Sequence, residues 1–258
     1  MKEILFVLYQ LTKYLAFSFL FVESLQKPRP RNFFYIILKT QGTGWINIFD
    51  GSFRILPNRI YINDIDPDEI SYRYYFDDSD NSTHTFKLVW YNKINSTRNM
   101  FYMCDKIIEI DFLNFDTSQV TDMGMMFACC SSLISLNISN FNTSLVARME
   151  YMFNGFDSLI SLNLSHFNTS KVTNMHRMFE SSSSLRFLDL SNFDVSQVTD
   201  VGDMFCGCSS LISFYISNFY SPKVTHIEGI FSGCQSLISL NLSTLDTSAV
   251  TSIDYMFY

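Results

Sequence analysis

Four of the six cysteines in this 258-residue chain, Cys104, Cys130, Cys208 and Cys234, recur at one phase of a 26-residue period, three residues after a repeated Phe. Thiols in that arrangement could do two things. On neighbouring units they could join as disulfides, Cys104 with Cys130 and Cys208 with Cys234, in an oxidising compartment. Alternatively each sits in the core as a small hydrophobe, and the periodicity is a packing signal first. A zinc site is not indicated, because no Cys-x-x-Cys pair has a matching second half.

Other reactive residue types do not gather. His84, His166, His176 and His226 lie in different phases of the repeat or outside it. There is no Gly-x-Ser-x-Gly elbow and no glycine-rich phosphate loop before a helix, so no catalytic residue, cofactor or metal ligand is expected. One column, Asp116, Asn142, Asn168, Asp194 and Asp246, with Tyr220 in the fifth copy, could stack side-chain oxygens for Ca²⁺. The glycine-rich calcium signature is absent, and turn capping is the better reading. Asn-x-Ser/Thr sequons occur at Asn81, Asn95, Asn137, Asn142, Asn163, Asn168 and Asn241. Rungs about 4.8 Å apart would crowd glycans at Asn137 and Asn163, so Asn81 and Asn95 are the better acceptors.

The element that must position all of these is a repeat. Phe stands at 101, 127, 153, 179, 205, 231 and 257, marking six copies and a stub. Such a period means stacked units, because each copy cannot bury its apolar face alone. In the copy from Phe127, Leu133, Leu136, Ile138 and Phe141 follow the spacing Leu-x-x-Leu-x-Leu-x-x-Phe. Residues 135–138 alternate Ser, Leu, Asn, Ile, which predicts a short strand, and stacked copies then predict a parallel sheet. Asn142-Thr143-Ser144 predicts a turn. Val146, Met149, Met152 and Phe153 predict an extended piece followed by a helical turn.

Ahead of the array, residues 1–24 are apolar and read as a signal peptide, with an uncleaved membrane anchor as the alternative. Residues 25–99 change composition. Runs at Phe33–Leu38, Ile60–Ile62, Tyr72–Phe76 and Phe86–Tyr91 predict strands of a small β-rich unit, with a hairpin tip at Asp77–Asn81. Placed upstream of the 100–258 array, it would cap the first repeat. The formal charge of −7 understates the array, where 15 acidic residues face 6 basic ones. A nucleic-acid partner needs a basic stripe and is not expected.

Function is most legible where an outward column breaks its own consensus. Ile-Ser-Leu-Asn becomes Arg186-Phe187-Leu188-Asp189 in the fourth copy, and the outward Asn becomes Tyr215 in the fifth. Arg and aromatics are the side chains that dominate binding hot spots. Arg186, Phe187, Asp189 and Tyr215 are therefore the candidate ligand-binding face.

The consensus Met-Phe-x-x-Cys-Ser-Ser-Leu-x-Ser-Leu-x-Leu-Ser-Asn-Phe-x-Thr-Ser-x-Val-Thr-x-Met, fullest at 126–151, 152–177 and 204–229, resembles the 26-residue mycoplasma-type surface-protein repeat of the BspA-like leucine-rich-repeat family. The segment from Ile36 to Met100 is similar to the β region that precedes such arrays. The resemblance implies a secreted or cell-surface protein concerned with adhesion and protein binding, and it brings no catalytic residues. The chain departs from the family pattern in lacking a lipid-anchoring Cys after the apolar start and a recognisable C-terminal cap or anchor. The expectation is thus a leucine-rich-repeat-like solenoid with an N-terminal β cap, binding a protein or glycan ligand on a cell surface without catalysis. Two alternatives stand beside it: self-assembly through the last rung, Met256-Phe257-Tyr258, and a piece of a longer array.

Overall fold

The computed structural model describes residues 33–67, 69–77, 82–215, 222–240, 242 and 247–258. The signal or anchor reading of 1–24, the tip at 78–81 and the sequon at Asn81 lie outside these residues, as do Tyr220 and Asp246. No helix among the described residues is long and apolar enough to cross a membrane.

Period-2 alternation organises the N-terminal part. In β1 (Phe34–Gln41) Ile36 and Leu38 point inward, and in β5 (Thr83–Trp90) Phe86 and Leu88 do the same. The two strands pair antiparallel along their whole length, from Phe34 opposite Trp90 to Gln41 opposite Thr83. On the far side of β5 lies β3 (Arg59–Ile62). A separate ribbon joins β2 (Gly44–Asn47) to β4 (Arg73–Phe76). β2 begins at Gly44 and is not among the runs that the sequence marks as strands.

The other edge of β1 pairs antiparallel with β6 (Ile107–Asn114), which in turn pairs in parallel with β7 (Ser135–Asn137). One sheet of order β3-β5-β1-β6-β7 therefore runs from the N-terminal strands into the repeats. The strand edge that β6 would otherwise present to solvent is hydrogen-bonded. Farther along, β8 (Phe187–Asp189) and β9 (Ser213–Tyr215) pair in parallel, and a single bridge from Ser161 to Phe187 extends that pair backward.

Inside, the repeated Phe side chains form a column. Successive rings from Phe101 to Phe257 stack with centroids 5.6–6.0 Å apart and planes within 16°. Leu133, Ile138, Phe141, Val146, Met149, Met152 and Phe153 are all buried, and one core cluster extends from Ile36 to Phe231.

The segment expected to make a helical turn does not make one, and no described residue is helical. Alternate N–H groups instead cross to the next rung: Met123 to the Arg148 carbonyl, Met125 to Glu150, Phe127 to Met152 and Cys129 to Asn154. Those between fold back three residues, Met126 to Met123, Ala128 to Met125 and Cys130 to Phe127. With half the donors committed to the neighbour, none remains for an i−4 ladder. Two columns carry left-handed backbone for the same reason, Met125, Tyr151, Arg177 and Asp203 in one, and Cys129, Gly155, Ser181 and Gly207 in the other. Parallel bridges complete the ladder, from Ser96 to Asp122, Arg148, Asn174, Asp200, His226 and Ser252.

Candidate functional site

Leu188 in β8 is buried, so its neighbours Phe187 and Asp189 must face outward, and Phe187 is 55% exposed. Asp189 is exposed. The Ser191 hydroxyl and backbone N–H (3.0 Å) hydrogen-bond its carboxylate and hold its pKa below the usual value. The backbone of Tyr215 lies opposite Asp189 in the β8–β9 register, and Ser213 opposite Phe187.

Arg186 belongs to a different column. It precedes β8; its N–H donates to the Ile160 carbonyl (3.1 Å) and its carbonyl accepts from Ile212 (3.0 Å). The same links join Ile134 to Ile108 and Ile238 to Ile212. Arg186 thus interrupts a line of isoleucines that face solvent: Ile134 is 58% exposed, Ile160 59% and Ile238 83%, with Ile212 half-buried. Beside this line runs a shallow groove of about 330 Å³ lined by Ile160, Ser184, Arg186, Ser210, Ile212 and Ser236.

Reading the substitutions alone missed this isoleucine column. The signal was the adjacent pair Leu-Ile, present in four of the six copies at 133–134, 159–160, 211–212 and 237–238. Once Leu133, Leu159 and Leu211 are fixed inward, where all three are buried, the residue that follows has to turn away.

All six thiols are free in this structure, and neither the Cys104–Cys130 nor the Cys208–Cys234 pairing is formed in it. Cys130 Sγ instead donates to the Phe101 carbonyl, Cys208 Sγ to Phe179 and Cys234 Sγ to Phe205, at 3.1–3.2 Å. Ser182, in the same column, donates to Phe153 at 2.6 Å. At these four positions a small side chain donates to a carbonyl of the preceding rung, whereas the third copy fills the same column with the buried ring of Phe156. Burial pushes the thiols of Cys104, Cys130 and Cys208 well up, and that of Cys234 to about 11, which makes them poor nucleophiles.

In the Asx column, Asp116, Asn142, Asn168 and Asp194 each accept the N–H of the Ser two residues on, at 2.8–3.1 Å. These oxygens cap turns, and among the described residues no group of three or more His, Cys, Asp or Glu could hold a metal. Asn95 is exposed, and its carbonyl accepts the Thr121 N–H at 3.0 Å. The histidines stay apart: His84 stacks on Phe76 (3.6 Å), His166 Nε2 meets the Ile138 carbonyl (2.8 Å), and Thr225 Oγ1 meets His226 Nδ1 (2.8 Å). His176 lies 3.3 Å from Asp200, whose hydrogen bond raises its pKa.

A separate set of charges lines the rungs. Arg98 reaches Asp122 and, two rungs on, Glu150; a Cβ at the intervening Gly124 would collide with its guanidinium. Arg177 pairs with Asp203 at 3.0 Å. These pairs tie rungs together and leave the isoleucine column uncharged except at Arg186.

Neither the comparison with curated proteins nor that with solved structures gave a match. A family model described as "Mycoplasma protein of unknown function, DUF285" matches residues 95–213 and again 183–258. Its span begins beside Ser96, where the ladder of parallel bridges also begins. With the whole repeat array matched, the chain belongs to the DUF285 family of Mycoplasma-type proteins.

Proposed function

We propose that this chain is a non-catalytic recognition module, secreted or held at a cell surface. In this reading the array is a BspA-like leucine-rich-repeat solenoid, and residues 25–99 are its N-terminal cap. The solenoid is supported by the stacked Phe column and the rung-to-rung bridges, and the cap by the pairing of β1 along β6. The repeat's resemblance to surface proteins supports the location.

One observation carries the functional reading. Of the isoleucine line, Ile134, Ile160 and Ile238 are exposed, with Phe187 exposed beside them, and Ile212 is half-buried, while the leucine before each of Ile134, Ile160 and Ile212 fills the core. Burying this line is favourable only against another molecule, and its aliphatic side chains favour a protein over a glycan.

The test is capture of folded partner proteins by the immobilised chain from a panel of cell-surface and matrix proteins. Phe187→Ser combined with Tyr215→Ser should abolish capture while the thermal midpoint stays within a few degrees. Undiminished capture by that variant would sink the reading. Location is tested separately, by sequencing the N-terminus of the protein recovered outside the cells. An intact Met1 found only in the cytosol removes the surface assignment.

A further inference from the structure

Resting on the reading of this face as a protein-binding surface, we propose that its central rungs take an extended acidic peptide of pattern apolar-x-(Asp or Glu)-x-apolar. The carboxylate lies on Arg186, and the flanking aliphatic side chains lie on Ile160 and Ile212.

Charge is the first argument. The array holds 15 acidic and 6 basic residues, so a cation in an uncharged groove stands out. Arg98, Arg177 and Lys93 each lie against a carboxylate of this chain. Among the described residues no carboxylate pairs with Arg186, and the groove around it is walled by Ser184, Ser210, Ser236 and the two isoleucines. The acid nearest in sequence, Asp189, lies three residues on, about 10 Å at the advance of an extended strand, and is occupied by Ser191. A guanidinium presents a planar fork of donors that suits a carboxylate, and its partner must come from outside.

Spacing is the second argument. At this column the backbones of successive rungs are hydrogen-bonded, the Arg186 N–H to the Ile160 carbonyl and the Ile212 N–H to the Arg186 carbonyl, so one rung lies about 4.8 Å from the next. An extended peptide lying along the stack advances about 6.6 Å for every two residues. Side chains at i−2, i and i+2 therefore reach Ile160, Arg186 and Ile212 with a mismatch of about 1.8 Å per rung, which rotatable side chains absorb over three rungs. The peptide crosses the strands rather than joining their edge, so side chains carry its recognition, while the Ser210 and Ser236 hydroxyls face its backbone and Ser184, whose proton goes to the Asp157 carbonyl, can only accept. Phe187 walls the position next to Arg186.

Fluorescence anisotropy with the full chain tests this, using labelled peptides built on Ile-Ser-Glu-Ser-Ile and matched versions with Gln or Lys at the centre. Wild-type protein should bind the Glu peptide about tenfold more tightly than the Gln peptide. Arg186→Gln should erase that difference, and Arg186→Glu should transfer the preference to the Lys peptide. Ile160→Ser should weaken the Glu and Gln peptides alike. Circular dichroism checks that each variant is folded. Equal binding of the Glu and Gln peptides, weakened together by Phe187→Ser, overturns the acidic preference and leaves the binding face standing. No binding of any peptide at millimolar concentration also overturns the inference, whereas the folded-protein capture decides the broader reading independently.

Discussion

Thr143 is buried, and its hydroxyl works twice. It donates to the Asn168 carbonyl at 2.9 Å and accepts the Asn168 N–H at 2.8 Å, both on the next rung. Thr117 and Thr169 do the same for Asn142 and Asp194. Thr143→Val keeps the volume but removes the one side chain that serves both backbone groups of Asn168. The expected loss is roughly 1–3 kcal/mol, read as a lower midpoint in urea with an unchanged slope. In the sequence Asn-Thr-Ser was legible as a turn, and Asn142 does cap Ser144 locally. The role of the Thr between them was not, because its partner lies 25 residues away and is defined only by stacking. The cysteines follow the same logic. Their burial was legible; the carbonyl that each thiol satisfies was not.

At the scale of the element, the rung is built from tight turns whose left-handed positions recur at a fixed phase. Gly155, Gly207 and Gly233 occupy one of these columns at φ of 71–73°, whereas Ser181 sits there at φ 57° with a Cβ. Left-handed backbone disfavours a residue with a Cβ. Ser181 is exposed, and its backbone N–H bond to Cys206 survives substitution. Ser181→Gly should therefore stabilise the protein by roughly 0.5–1 kcal/mol. Gly155→Ala should do the opposite, since its Cβ would come within 3.3 Å of the Cys129 backbone. Thermal midpoints of the pair, measured together, check both signs. The sequence predicts a helical turn here, after an extended piece at Val146, because Val146, Met149 and Met152 are spaced by three residues. The same spacing serves three-residue fold-back turns, and side-chain periodicity alone does not distinguish the two.

For the whole molecule, the Phe column and the bridges make each rung depend on its two neighbours, so damage should spread along the stack and decay with distance. Phe179 lies between Phe153 and Phe205, 5.6 Å from each. Phe179→Ala should cost about 3–5 kcal/mol. Amide hydrogen exchange should accelerate most around 153–155 and 203–207 and least around Ile36 and Leu38 in the N-terminal sheet. Uniform acceleration would instead indicate that the array and that sheet open as one unit.

By itself the sequence determined the period, the inward columns and the turn positions, because these follow from local alternation and from what each side chain does in water. It also singled out Arg186 and Phe187 as departures from a regular surface. Tertiary structure alone decided what those departures stand beside. The isoleucine column forms only when Ile134, Ile160, Ile212 and Ile238 are brought into line by the stack, and Arg186 stands among them with no carboxylate partner among the described residues. The physical reason is register. A side chain's burial is set by its own strand, but its hydrogen-bond and charge partners lie a full repeat away, and only the stacked backbone brings them within reach.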